Sequence, residues 1–110
     1  MSVRESYLDT EEFMRLARQS QRSMAVIQNA FKAIVKLVEA HAEAVGKRIP
    51  MSHHQVVSYA REVRVGKEVG ELLDMYLTSY RGQDGEKARE AVRLAENVFR
   101  RLSGDVKTKL

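Results

Sequence analysis

A run of basic side chains near the start of the chain contains no acid. The charged residues between Phe13 and Val38 are Arg15, Arg18, Arg22, Lys32 and Lys36, and the run is flanked by Glu12 and Glu39. Proteins that bind phosphate groups often concentrate Lys and Arg on one patch in this way. The three arginines therefore indicate a nucleotide or RNA site, with a solvated helix face as the alternative.

Three further arginines, Arg89, Arg93 and Arg100, align on one face of the last predicted helix. Acidic residues stand three or four positions from each of them, which is the spacing that forms ion pairs within a helix. We therefore interpret this face of the helix as solvated.

The three histidines are the side chains best suited to proton transfer near neutral pH. His41 lies at the centre of the apolar arc of its helix, which favours a buried ring with a satisfied hydrogen bond over a ligand or base. His53 and His54 stand in the first turn of another helix. The chain has no cysteine and no His-x-x-x-His spacing, so we expect no metal and no cofactor.

Length and composition indicate one globular domain over residues 1–110, with a core from about 9 to 104 and a frayed tail over 105–110. The longest apolar stretches are only a few residues, so no transmembrane segment is predicted. The first residues lack the apolar stretch of a secretory signal, which makes the cytoplasm the expected location.

Apolar residues recur at three- and four-residue spacing almost throughout, which predicts helices and no strands. Asp9 and Thr10 offer N-cap oxygens for the first helix. The polar residues 18–23 predict a break or bend before the second helix, which Gly46 closes. Short connections favour antiparallel neighbours, so the expected fold is an all-α, up-and-down bundle of four or five helices.

The third helix has the most complete start signal. Ser52 is its predicted N-cap, Gln55 its capping-box partner, and Met51 and Val56 its hydrophobic staple. Gly66 suits the C′ position after it.

The last two helices follow from the same patterns. The fourth presents one apolar face, made of Val69, Leu72, Leu73, Tyr76, Leu77 and Tyr80. Tyr76 and Tyr80 could stack a base, but the core is the favoured interpretation for both. The last helix is predicted from about Glu86 to Ser103, with Gly104 as its stop.

The second helix, over Met24–Val45, is apolar across an arc of roughly 220°, whereas an ordinary surface helix needs a stripe of roughly 100°. It must therefore be covered on two sides. A central helix and a dimer seam are the two interpretations, and we predict a homodimer or a complex with another protein.

Three segments together resemble the HEPN family, a helical domain associated with nucleotide binding. They are Asn29–Lys36 in the central helix, Ile49–His53 at the next helix start, and Tyr80–Gly82 followed by Glu86–Ala88. The resemblance implies a HEPN-like bundle that binds nucleotide or RNA, or that partners a minimal nucleotidyltransferase in a toxin–antitoxin-type system. His53, Tyr80 and Arg81 then join Arg15, Arg18 and Arg22 as candidate binding residues.

The chain departs from the family pattern at several positions. Phe31 stands where a glutamate is usual, and Gly82 replaces a proline. Ribonuclease members carry Arg, four to six residues, then His on a later helix, where this chain has no histidine. Arg48 and His53 match the spacing but lie around the Pro50 connection.

Two other functions remain as alternatives. One is an endoribonuclease in which the His53 imidazole takes the proton of a ribose 2′-hydroxyl and the Arg48 guanidinium stabilises the phosphorane charge. The other is a purely structural bundle that binds another protein.

We expect no cleavage of single-stranded RNA that depends on Arg48 and His53. One residue sits in a connection and the other begins a helix, so the two need not face one site. Any activity in a preparation should therefore survive His53→Ala. Cleavage abolished by both His53→Ala and Arg48→Ala, with folding intact by circular dichroism, would instead identify a ribonuclease.

Overall fold

The computed structural model describes residues 2–79 and 84–110, and these two ranges form five α-helices and no strand. The helices are α1 (Val3–Gln19), α2 (Ser23–Ala44), α3 (His53–Glu62), α4 (Gly66–Thr78) and α5 (Gly85–Lys107). The all-α prediction is confirmed. The predicted break is also present, because α1 ends before residue 20 and α2 begins at residue 23.

Helix α2 is the centre of the molecule. Thirteen of its 22 residues are buried, and α1, α3, α4 and α5 all pack against it. Ala30, Ala33 and Leu37 have no exposed surface. The central-helix interpretation is confirmed, and the wide apolar arc is covered within one chain. The homodimer stays a prediction, but it no longer has α2 as its reason.

Helix α1 begins earlier than predicted. Ser2 is its N-cap and accepts a hydrogen bond from the Glu5 backbone N–H at 3.1 Å. The predicted start at Asp9 and Thr10 is wrong, because both residues lie inside the helix. The extra turns are held by tertiary packing, since Tyr7 is only 4% exposed.

The turn after α2 confirms the predicted role of Gly46. This glycine has a φ of +76°, and the Lys47 N–H donates to the Ala42 carbonyl at 2.8 Å. The Gly46 N–H donates to the Glu43 carbonyl at 3.2 Å. Together these bonds form a Schellman motif, which satisfies carbonyls at the helix end.

The start of α3 confirms most of its predicted signal. The Ser52 Oγ accepts from the Gln55 N–H at 3.2 Å, a cap that contributes about 1 kcal/mol. The Gln55 side chain reaches back to the Met51 N–H at 2.7 Å. The predicted staple is wrong, because Met51 is 81% exposed and does not pack on Val56 as a staple would.

The α3–α4 turn places a different residue at C′ from the one predicted. Arg64 takes the left-handed conformation, with a φ of +67°. Gly66 instead opens α4, where a Cβ would lie 2.6 Å from the Arg61 Cγ and 3.0 Å from its Cα. A glycine is needed there because α3 and α4 approach each other closely.

Helix α5 begins at the Asp84 cap, whose side chain accepts from the Lys87 N–H at 3.0 Å. It continues through Gly104 to Lys107, so the predicted stop is wrong. The predicted fraying is also wrong at the start of the tail, because Val106 is fully buried. On α4, Leu77 is 54% exposed, which corrects its predicted inward position.

Two glycines of α4 give a matched test of the close approach between α3 and α4. A Cβ on Gly70 would have no neighbour within 4 Å outside the backbone of its own helix. Gly70→Ala should therefore raise the free energy of unfolding by up to about 1 kcal/mol through helix propensity. Gly66→Ala should lower it by about 1–3 kcal/mol through overpacking against Arg61. Urea denaturation of both variants measures the difference, and a stabilised Gly66→Ala would show that the two helices do not meet as described.

Candidate functional site

A groove of about 700 Å³ runs between the α1–α2 junction and α5. We call it the arginine groove, because arginines are four of the five charged residues that line it in the described part of the chain. The charged lining residues are Arg18, Arg89, Arg93, Glu96 and Arg100. Ala17, Val26, Val92 and Phe99 supply apolar lining. The groove therefore combines an apolar surface with an excess of positive charge.

The arginines of α5 owe their place to the helical period. Ala91, Leu94 and Val98 are buried on the inner face of α5. With 3.6 residues per turn, the next face along the helix carries Arg89, Arg93 and the residues that follow them at three- and four-residue spacing. The packing that buries the inner face thus directs this face towards the groove.

Arg18 reaches the groove from the other side. Its Nη2 lies 3.6 Å from an Oε2 of Glu96, and both side chains are about half exposed. An exposed ion pair of this kind contributes little stability. Arg18 can therefore exchange the carboxylate for another anion at small cost.

The other two arginines of the basic run do not line this groove. Arg15 donates to Glu12 at 3.0 Å and to the Gln19 side chain at 2.9 Å. The hydrogen bond from Arg15 lowers the pKa of the Glu12 carboxyl. Arg22 is the N-cap residue of α2, and its side chain makes no capping bond. The predicted set of three therefore divides, with only Arg18 in the groove.

The arginines of α5 are the residues that the sequence interpretation missed. Only Arg93 makes the expected bond within its helix, donating to Glu90 at 2.8 Å through its Nε. Arg100 donates to the Asn97 side-chain oxygen. In the described part of the chain no ion pair joins Arg89 or Arg100 to a carboxylate. The available signal was their alignment on one helix face.

His41 has the satisfied, buried environment that its sequence position predicted. Its ring is 4% exposed, its Nδ1 lies 2.6 Å from the Tyr59 Oη and its Nε2 lies 3.0 Å from an Asp105 Oδ2. A carboxylate only accepts hydrogen bonds, so the tautomer that satisfies both contacts donates from Nε2 to Asp105 and accepts a hydrogen bond from the Tyr59 hydroxyl at Nδ1. This network joins α2, α3 and α5.

His53 belongs to an aromatic cluster on another side of the bundle. Its ring meets Phe31 edge-on at 5.1 Å and Tyr76 edge-on at 5.7 Å. Phe31 and Tyr76 stack at 4.6 Å between ring centroids. Phe31 is 1% exposed, which explains why an apolar residue occupies this position. The candidates Tyr80 and Arg81 lie outside the described residues.

The structure does not bring Arg48 and His53 together. Arg48 lines a shallow hollow of about 380 Å³, to which α3 contributes Gln55, Ser58, Tyr59 and Glu62. At 100° per residue these four positions share one face of α3, and His53 lies on the opposite face. His53 instead contacts the aromatic cluster.

Residues 2–79 and 84–110 contain no group of three or more His, Cys, Asp or Glu side chains that could hold a metal ion. None of the helices found in those ranges has the length and apolar character needed to cross a membrane.

No family model, curated protein or solved structure matches the chain. The resemblance to the HEPN family therefore rests on the three sequence segments alone. The structure places the first in buried α2 and the second at the capped start of α3. Part of the third lies outside the described residues.

Tyr59 makes the stability of the fold sensitive to alkaline pH. Burial raises its pKa from 10.0 to about 12, with smaller contributions from the carboxylates of Glu62 and Asp105. The folded state therefore keeps a proton that the unfolded chain loses, so stability is complete below pH 10 and declines as pH rises from 10 towards 12.

Tyr59→Phe tests this network. The variant should lose about 1–3 kcal/mol at neutral pH, because the buried Nδ1 of His41 loses its donor. It should also show a shallower alkaline loss of stability than the unmodified chain. Urea unfolding over the neutral and alkaline range measures both effects. Parallel alkaline slopes for the two proteins would contradict the buried position of the Tyr59 hydroxyl.

Proposed function

We propose that this chain binds the phosphates of a nucleotide or an RNA in the arginine groove. The observation that carries the proposal is the convergence of Arg18 from α1 with Arg89, Arg93 and Arg100 from α5, against Glu96 as the one acid in the lining. The volume of about 700 Å³ lies within the range of small-molecule sites.

The chemistry of the lining suits phosphate. A guanidinium offers several N–H donors in a planar fork that matches two phosphate oxygens at once. Ser20, Gln21 and Asn97 add neutral polar groups to the same lining. Phe99 and Val92 offer an apolar surface against which a sugar or a base can pack. This combination of cations with apolar lining favours a nucleotide over a simple inorganic anion.

The start of α2 adds a smaller contribution to the positive potential of the groove. Ser23, its first residue, lines the groove, and its first turn contains no acidic side chain. The positive end of the helix dipole therefore acts in the same direction as the arginines. The groove does not depend on this contribution.

The other functions and partners that the sequence suggests differ in what they require of the structure. A minimal nucleotidyltransferase partner, a toxin–antitoxin role and a homodimer follow from the sequence predictions, and the groove leaves all three as proposals. An endoribonuclease using Arg48 and His53 is not favoured, because Arg48 lies beside one face of α3 and His53 lies on the opposite face. A purely structural bundle does not require four arginines to line one groove.

Single substitutions of the groove arginines test the proposal. Arg18→Gln, Arg89→Gln and Arg100→Gln should each weaken binding of a fluorescent oligouridylate several-fold, since each removes one phosphate contact. Each should also make the slope of log K against log salt shallower by about 0.7. Fluorescence anisotropy at low and moderate salt measures both quantities.

One control removes the same charge outside the groove, and the other removes the acid inside it. Arg15→Gln, one turn from Arg18 on α1 but outside the groove, should leave affinity nearly unchanged. Glu96→Gln should tighten binding, because it removes the acid that competes for Arg18. Equal losses from Arg15→Gln and Arg18→Gln would place the site on the face of α1, and no loss from any groove variant would remove the proposal.

A further inference from the structure

The guanidinium groups of the groove stand in a row along α5. The Arg89 Nη1 lies 3.5 Å from the position that a Cβ on Gly85 would take, Arg93 bonds Glu90 and Arg100 bonds Asn97. Each side chain thus lies over the turn that precedes it, as helix geometry favours. The three groups therefore keep the spacing of their backbone positions.

That spacing follows from the helical rise. At 1.5 Å per residue, the first two arginines are about 6 Å apart along the axis and the last two about 10 Å apart, so the row is about 16 Å long. Arg18 meets α5 at Glu96, between Arg93 and Arg100. A fourth cation therefore fills the longer interval.

One phosphate cannot use this row. A charged hydrogen bond spans about 3 Å, so guanidinium groups about 10 Å apart do not share a single phosphate from these positions. Successive phosphates of a nucleic acid strand advance by roughly 3.4 Å or more along its length, so a row of this length spans on the order of three to five of them. The repeat of the cations matches a chain of phosphates.

We infer that the arginine groove takes an oligonucleotide strand, with successive phosphates along α5, and does not select a mononucleotide. This inference rests on the proposed function, because it requires that the groove binds phosphate. The ligand that this row fits is a chain of regularly spaced phosphates. Either a nucleic acid strand or a free polyphosphate would supply it. The strand is favoured, since phosphates joined directly in a polyphosphate stand closer together than the cations of the row.

Affinity against ligand length is the decisive measurement. The probes are uridine monophosphate and oligouridylates of two, four and eight nucleotides, with inorganic tripolyphosphate as the compact polyanion, all competed against one fluorescent oligouridylate. Affinity should rise at least tenfold from the mononucleotide to the tetranucleotide and then level off, apart from a statistical gain in binding registers. Tripolyphosphate should bind more weakly than the tetranucleotide.

Salt dependence gives an independent count of the contacts. Four arginine–phosphate contacts give a slope of about −3, so affinity for the octanucleotide should fall about fifty-fold between 50 and 200 mM salt. If the slope of log K against log salt is no steeper than about −0.7, the value for one contact, the inference that several arginines bind successive phosphates is wrong, whatever the absolute affinity.

The outcomes separate this inference from the proposed function. Equal affinity for all nucleotide lengths, still lost in Arg18→Gln and Arg89→Gln, would overturn the oligonucleotide inference and leave phosphate binding in the groove intact. Tighter binding of tripolyphosphate than of the tetranucleotide would also overturn it. If no groove variant changes the affinity for the oligouridylates, the inference and the proposed function are both wrong.

Discussion

The burial of α2 is the constraint on which the rest of the structure depends. A helix with Ala30, Ala33 and Leu37 fully enclosed must be surrounded, and the other four helices all pack against it. Alanine at many of the contact positions lets those helices approach closely. Helices α1 and α5 both lie against α2 and make little direct contact with each other. The space between them is the arginine groove, which is thus a consequence of how α2 is covered.

The sequence was a good guide at the end of α2 and at the start of α3, where a signal and its partner lie within a few residues. The Ser52 cap and the Gly46 turn involve bonds across three to five residues, and both were predicted. The fold class followed from the apolar period for the same reason. His41 was placed correctly as a buried, hydrogen-bonded ring, because its position in the apolar arc left no exposed surface for it. Its partners Tyr59 and Asp105 come from other helices and were not predicted.

Several failures come from contact between residues distant in sequence. The start of α1 was missed for two reasons: the local bond from the Glu5 N–H to the Ser2 Oγ was not recognised, and the packing of Tyr7 against Phe99, at 5.9 Å between ring centroids, does not show in local sequence. Gly104 looked like a stop because burial of Val106 is equally non-local. Contact between distant residues also explains why the arginines of α5 were not grouped with Arg18. Nothing in the sequence pattern shows that Arg18 lies beside Glu96 of α5.

The two ends of α5 make different contacts, and this division makes the proposed binding in the arginine groove compatible with a stable bundle. Asp105 bonds buried His41, and Arg101 holds both the Arg64 carbonyl at 3.1 Å and Glu68 at 3.1 Å. These anchors occupy the last turns of α5, whereas the groove uses the turns from Gly85 to Arg100. The groove arginines lie at the surface, so the phosphates of the proposed ligand would reach them without disturbing a buried contact. Substitutions of the groove charges should therefore alter the proposed binding while the anchors at the far end keep the helix in place.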